Sequence, residues 1–103
     1  MGDTNYFSGT VKILKNPIQR LVKKQTLITL LQVEIFQTHK NKCVLLIFWG
    51  NLANKIKASY KKNDYLLIEG YTSIKKTNSK LNKTIITVLR VSPFFLVSRQ
   101  KLN

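Results

Sequence analysis

The stretch Val44-Leu45-Leu46-Ile47-Phe48-Trp49-Gly50-Asn51-Leu52-Ala53, answered by Asp64-Tyr65-Leu66-Leu67-Ile68-Glu69-Gly70, decides the architecture. The first part reads as a strand ending at Trp49, a glycine turn at Gly50 and the start of a short basic helix. The second reads as another strand, closing on Gly70. Val44, Leu46 and Phe48 share one parity of the earlier strand; Cys43, Leu45, Ile47 and Trp49 share the other. A strand apolar on both parities can turn only one face to an interior. The other face has to meet a helix, another subunit or a ligand.

Working outward toward the N-terminus, residues 26–36 form a strand in which Leu31, Val33 and Ile35 alternate with Gln32 and Glu34, the period of a half-buried strand. A polar hairpin turn at 38–42 joins it to the apolar strand. Residues 18–24 read as a basic loop carrying Arg20, Lys23 and Lys24. Residues 5–14 read as a first strand with Phe7, Val11 and Ile13 on one face; Gly9 interrupts it as a bulge or sharp bend, and Asn16-Pro17 ends it.

Toward the C-terminus, residues 50–62 form the helix, with Leu52, Ile56 and Tyr60 as its apolar stripe. Lys61 and Lys62 complement the dipole at its end, and Asn63 takes the left-handed cap position. Residues 64–74 are the fourth strand and 75–83 a lysine-rich loop. Residues 84–91 are the fifth strand, with Ile86, Val88 and Val91 on one face. Ser92-Pro93 breaks it, and 94–97 is a short apolar extension. Three strands, a helix and two strands predict an all-β chain: a five-stranded Greek-key barrel of the OB type, its helix between strands three and four. The expected organisation is one domain over 1–98 with a basic tail at 99–103.

At 103 residues the chain has the size of one small domain, and 44% hydrophobic residues suffice for a core. The net charge is +14, and only Asp3, Glu34, Asp64 and Glu69 are acidic. Such an excess suits an anionic partner: nucleic acid, an anionic membrane or an acidic protein surface. Arg occurs only at Arg20, Arg90 and Arg99, so lysine carries the excess, and an AT-rich genome would produce the same bias without selection for binding. Cys43 is alone, which excludes an internal disulfide and leaves no zinc spacing. The longest apolar run is far too short to span a membrane, and no signal-peptide core is present. His39 is the sole histidine and stands in a polar turn. The carboxylates are scattered and no glycine-rich phosphate cradle occurs. The expectation is a protein without enzymatic activity, cofactor or metal.

Binding of unpaired strands by a barrel of this type needs cations to follow the phosphates and flat rings on which bases stack. Trp49, on the outward parity, is the foremost ring candidate; its alternative is burial against the helix or a partner subunit. Tyr71 and Phe36 follow, with Tyr6 as a further candidate. The cations fall in the two predicted loops that flank such a binding face: Arg20, Lys23 and Lys24 in one, Lys75, Lys76, Lys80 and Lys83 in the other. Each is equally readable as a solvated loop residue.

Ile47-Phe48-Trp49-Gly50-Asn51-Leu52-Ala53 and Ile68-Glu69-Gly70 resemble the central block of the bacterial single-stranded-DNA-binding protein family. Ser8-Gly9-Thr10-Val11, followed by Asn16-Pro17, is similar to the start of primosomal replication protein B, a dimeric relative. The Lys- and Asn-rich composition of so short a chain is most similar to plastid-encoded members. The resemblance implies an OB-fold, oligomerisation through the first strand as a homodimer or homotetramer, and sequence-independent binding of single strands, with Trp49 at a base-stacking position. It also implies a plastid or a bacterial cytoplasm as the setting. Cys43, Thr77 and His39 stand where the family often has aromatics, and Arg99 to Asn103 stand where it carries an acidic tail. DNA and RNA are not distinguished. The competing expectation is an OB-fold scaffold or interaction subunit, using the outer face of strand three for protein contact.

Overall fold

The computed structural model describes residues 5–36, 41–76 and 82–94. Its elements are β1 (Asn5–Ile13), β2 (Ile18–Val22), β3 (Thr26–Ile35), β4 (Lys42–Trp49), α1 (Asn51–Ser59), β5 (Tyr65–Lys76) and β6 (Asn82–Pro93). The sheet runs β1-β5-β6-β4-β3-β2, and a further pairing of β1 with β3 closes it. Five strands, β1, β5, β6, β4 and β3, therefore form the ring that the sequence predicts. The sixth, β2, hangs on the outer edge of β3. All pairings are antiparallel except β4 with β6, where Leu45–Ile47 run parallel to Ile85–Thr87.

Alternation drives the packing. Leu31 and Val33 of β3 and Leu46 and Phe48 of the neighbouring β4 share the inner face, with Leu66 and Ile68 of β5 and Ile86 of β6 completing the core. All of these are fully or nearly fully sealed from solvent. Helix α1 plugs the barrel with Ala53 and Ile56, while Leu52 and Tyr60 pack against the rim of the core. The predicted stripe of the helix is thus its inward face. Thr29 is the buried polar side chain of the core; its Oγ1 donates to the Ala53 carbonyl at 2.7 Å and so ties β3 to the helix.

The segment expected to be a basic loop is the strand β2, paired with β3 from Ile18↔Leu30 to Val22↔Thr26. Its sequence carries no burial signal, because β2 is an edge ribbon that covers no core. The hairpin turns at Lys23 and Lys24, both at positive φ (51° and 68°), and the Gln25 N–H donates to the Val22 carbonyl at 3.3 Å. The lysine-rich loop is also shorter than expected, since Lys75 and Lys83 lie in paired strands.

Gly9 forms no bulge, as β1 pairs without interruption with β5 from Asn5 to Lys12. The irregularity lies instead between Glu69 and Gly70: Glu69 pairs with Arg90 and Gly70 with Val88, leaving Leu89 as the extra residue. That bulge explains how Val88 and Val91, three positions apart, both reach the core. A Cβ on Gly70 would stand 2.2 Å from the Thr87 carbonyl oxygen, so only glycine fits there. Helix α1 ends at Ser59, earlier than predicted, so Lys61 and Lys62 lie beyond it and Lys57 is the cation of its last turn. Asn63 does adopt a positive φ of 77°, but in the following turn, where its N–H donates to the Ile13 carbonyl at 2.8 Å. Phe94 is extended and bonds the Tyr65 carbonyl through its N–H. The predicted extension beyond it, the tail at 99–103 and His39 lie outside the described residues.

Candidate nucleic-acid interface

The outward face of the sheet is organised in rows set by strand register. One row runs Arg20 (β2), Ile28 (β3), Trp49 (β4). The next runs Ile18, Leu30, Ile47, Thr87, Tyr71 and Tyr6 across all six strands. A third joins Gln32, Leu45, Ile85 and Ser73. Neighbours within a row have Cβ atoms about 4.5–5.5 Å apart, close enough to form a continuous surface.

A groove of about 270 Å³ opens on these rows. Ile18, Leu30 and Leu45 supply its apolar lining, and Lys15, Arg20 and Lys83 supply its charge. The cations arrive from three separate segments: the connection after β1, the hairpin strand β2 and the start of β6. A smaller hollow of about 190 Å³, lined by Gln32, Cys43, Val44, Leu45 and Lys83, continues the groove along β4. The connection after β1 is held in place from behind. Asn16 Oδ1 accepts the Lys62 N–H at 2.8 Å, and Lys57 Nζ donates to the Pro17 carbonyl at 3.1 Å. Gln19, on the inner side of β2, donates to Thr29 and to Asn54 of α1, fixing the hairpin against the barrel.

Trp49 stands where the parity of its strand predicts. It is 46% exposed, beside Ile28 and one strand from Arg20's partner position, so burial against α1 is excluded within the chain. Arg20 and Lys83, predicted for two different loops, meet in one groove. Lys23 and Lys24 are exposed at the hairpin tip beyond it. Lys75 pairs directly with Lys83 across β5 and β6, a like-charge neighbour pair of the kind that weakens a sheet. Lys76 is in β5, and Lys80 lies outside the described residues.

Three ring candidates are elsewhere. Tyr71 is exposed, but it packs edge-on against Tyr6 at 5.7 Å, near the Glu69–Arg90 ion pair at 3.7 Å. The Glu69 carboxylate, as hydrogen-bond acceptor, pushes the Tyr6 phenol above its ordinary pKa. Phe36 stacks on Tyr65 at 6.2 Å with Lys12 over the Tyr65 ring. Along β3 it lies roughly 27 Å from Ile28, the neighbour of Trp49. The structure therefore does not bring Phe36 to the groove. The groove residues missed by sequence reading are Lys15, Asn16, Ile18, Leu30, Gln32 and Leu45. The two-faced strand signalled Leu45 and the alternation of β3 put Leu30 and Gln32 on its outer parity; Lys15, Asn16 and Ile18 needed the hairpin of β2 with β3.

A protein of Trieres chinensis named "Putative single-stranded DNA-binding protein ycf41" is 33% identical over 93% of this chain and 94% of its own length. The chain belongs to the single-stranded-DNA-binding protein family. Solved structures agree on the fold. The SSB domain of a Synechococcus sp. protein superposes with a TM-score of 0.68 at 22% identity, covering 88% of this chain and 94% of that one. The second single-stranded-DNA-binding protein of Mycobacterium smegmatis gives 0.71 at 20% identity, covering 94% and 93%. No protein-family model matches the chain. The family likeness drawn from Ile47–Ala53 and Ile68–Gly70 is thereby met by a relative; the further likeness to primosomal replication protein B is not supported by these proteins.

Proposed function

We propose that the chain binds single-stranded DNA without catalysis and largely without regard to sequence, along the groove between β2, β3, β4 and β6. The observation that carries this reading is the convergence of Lys15, Arg20 and Lys83 on an apolar hollow, one row from the exposed Trp49. Unpaired strands need this combination: phosphates are held by cations while sugar and base faces lie on apolar surface. The Lys75–Lys83 pair adds support. Two like charges held in register repel, and a phosphate between them relieves that cost.

The chain acts as a homodimer or homotetramer in this reading. β1 pairs with β3 only from Val11 to Ile13, so one edge of β1 from Asn5 to Thr10 has no partner strand among the described residues and is where a second copy would pair. A plastid or a bacterial cytoplasm is the proposed setting, from the lysine- and asparagine-rich composition and the family resemblance. The experiment is a titration of Trp49 fluorescence, the protein having a single tryptophan, with oligo(dT). Saturable quenching, weakened by salt, supports the reading. No quenching and no retardation of the oligonucleotide would replace it with the scaffold reading, and competition by oligo(rU) measures how far RNA shares the site.

A further inference from the structure

The groove holds one group that neither charge nor stacking uses. Gln32 lies on the exposed face of β3 and lines both hollows, beside its β4 partner Leu45, with Lys83 of β6 lining the same hollows. The other amides nearby are engaged. Asn16 accepts from the Lys62 N–H, and Gln19 donates to Thr29 and Asn54. The Gln32 side chain makes no hydrogen bond to another described residue. Its carboxamide presents an acceptor and two donors above an aliphatic lining of Ile18, Leu30 and Leu45.

We infer that the groove seats a single unpaired base of the bound strand, and that Gln32 reads its edge, giving this site a preference for adenine. The inference rests on the binding proposed above and goes beyond it by assigning a base-reading residue. Three observations support it. The volume of about 270 Å³ suits one nucleobase with part of its sugar rather than a stacked row. The lining is aliphatic, so it gains more from the larger face of a purine than from a pyrimidine. A glutamine amide pairs in bidentate fashion with adenine N6 and N7, donating to N7 and accepting from N6. Lys15, Arg20 and Lys83 ring the same hollow and supply contacts to the flanking phosphates, which fix the strand without reading it.

The test uses the full chain and an oligo(dT) host whose central position is thymine, adenine or 7-deazaadenine, which lacks the N7 acceptor. Wild type should bind the adenine host at least about fivefold more tightly than the all-thymine host, and 7-deazaadenine should lose most of that gain. Gln32→Leu should erase the adenine preference, so that the thymine, adenine and 7-deazaadenine hosts bind alike; circular dichroism of this exposed position checks that the variant is folded. Lys83→Ala should weaken all three hosts alike and flatten the salt dependence. Equal affinity of wild type for all three hosts, or a preference that survives in Gln32→Leu, overturns base reading while leaving sequence-independent binding intact. A wild type that binds none of the hosts overturns both.

Discussion

Single residues set the tightest constraints on this molecule. Gly70 lets β5 approach β6 next to the bulge, and any side chain there meets the Thr87 backbone. Gly70→Ala should cost about 1–3 kcal/mol, as overpacking in a close-packed site does, read as a lower urea midpoint. An unchanged midpoint would mean the two strands can part at no cost. Trp49 contributes differently, because nearly half of it faces solvent and little fold stability depends on it. Trp49→Ala should weaken oligo(dT) binding by about 1–3 kcal/mol, measured by anisotropy of a labelled strand, with no change in salt slope. A change in oligomeric state instead would mark Trp49 as a subunit contact.

Among elements, the β2–β3 hairpin is the least legible and the most informative. Lys23 and Lys24 both hold left-handed backbone conformations, each costing roughly 1–2 kcal/mol for a residue with a Cβ. Asn and Gly are the residues that suit such a turn. Replacing Lys23 by Asn and Lys24 by Gly together should raise stability by about 1–2 kcal/mol in chemical denaturation. The same change should flatten the salt slope of binding by roughly 0.7 for each phosphate that the tip no longer neutralises. Greater stability with unaltered binding would show the tip to be a solvated turn only.

Tyr60, which caps the end of helix α1, supplies a pH-dependent element. Burial, then the Asp64 charge, raises the pKa of Tyr60 above the ordinary 10.0. The fold therefore prefers the neutral phenol. Its contribution is complete below about pH 10 and is lost as pH rises through the higher folded value. Tyr60→Phe should lose less stability than wild type in thermal melts across that alkaline window, and parallel losses would dismiss the contribution.

At the scale of the whole molecule, the ring closes only over part of β1. Val11 to Ile13 seal it against β3, while Asn5 to Thr10 leave one backbone edge without a partner strand among the described residues. Unpaired edges invite pairing with a second copy. Light scattering at micromolar concentration should give at least twice 11.9 kDa, and a monomer at every concentration tested would count against the dimer.

The sequence by itself determined the barrel. Alternation from Leu31 to Ile35, the two-faced run from Val44 to Trp49, the strand closing on Gly70 and the helical stripe of Leu52, Ile56 and Tyr60 are local patterns, and local patterns survive without knowledge of partners. It also put Trp49 on the parity opposite Val44, Leu46 and Phe48, and the burial of those three turns Trp49 outward. Tertiary structure decided what parity cannot reach. β2 covers no core, so its apolar Ile18, Leu21 and Val22 show no alternation, and only its pairing with β3 reveals it. The Leu89 bulge shifts Val91 inward through a register that exists only between two strands. The groove has the same origin. Lys83 is far along the chain from Lys15 and Arg20, and only the pairing of β6 with β4 brings it to their hollow, while Phe36, a ring of the same set by sequence, is carried to the opposite end of β3.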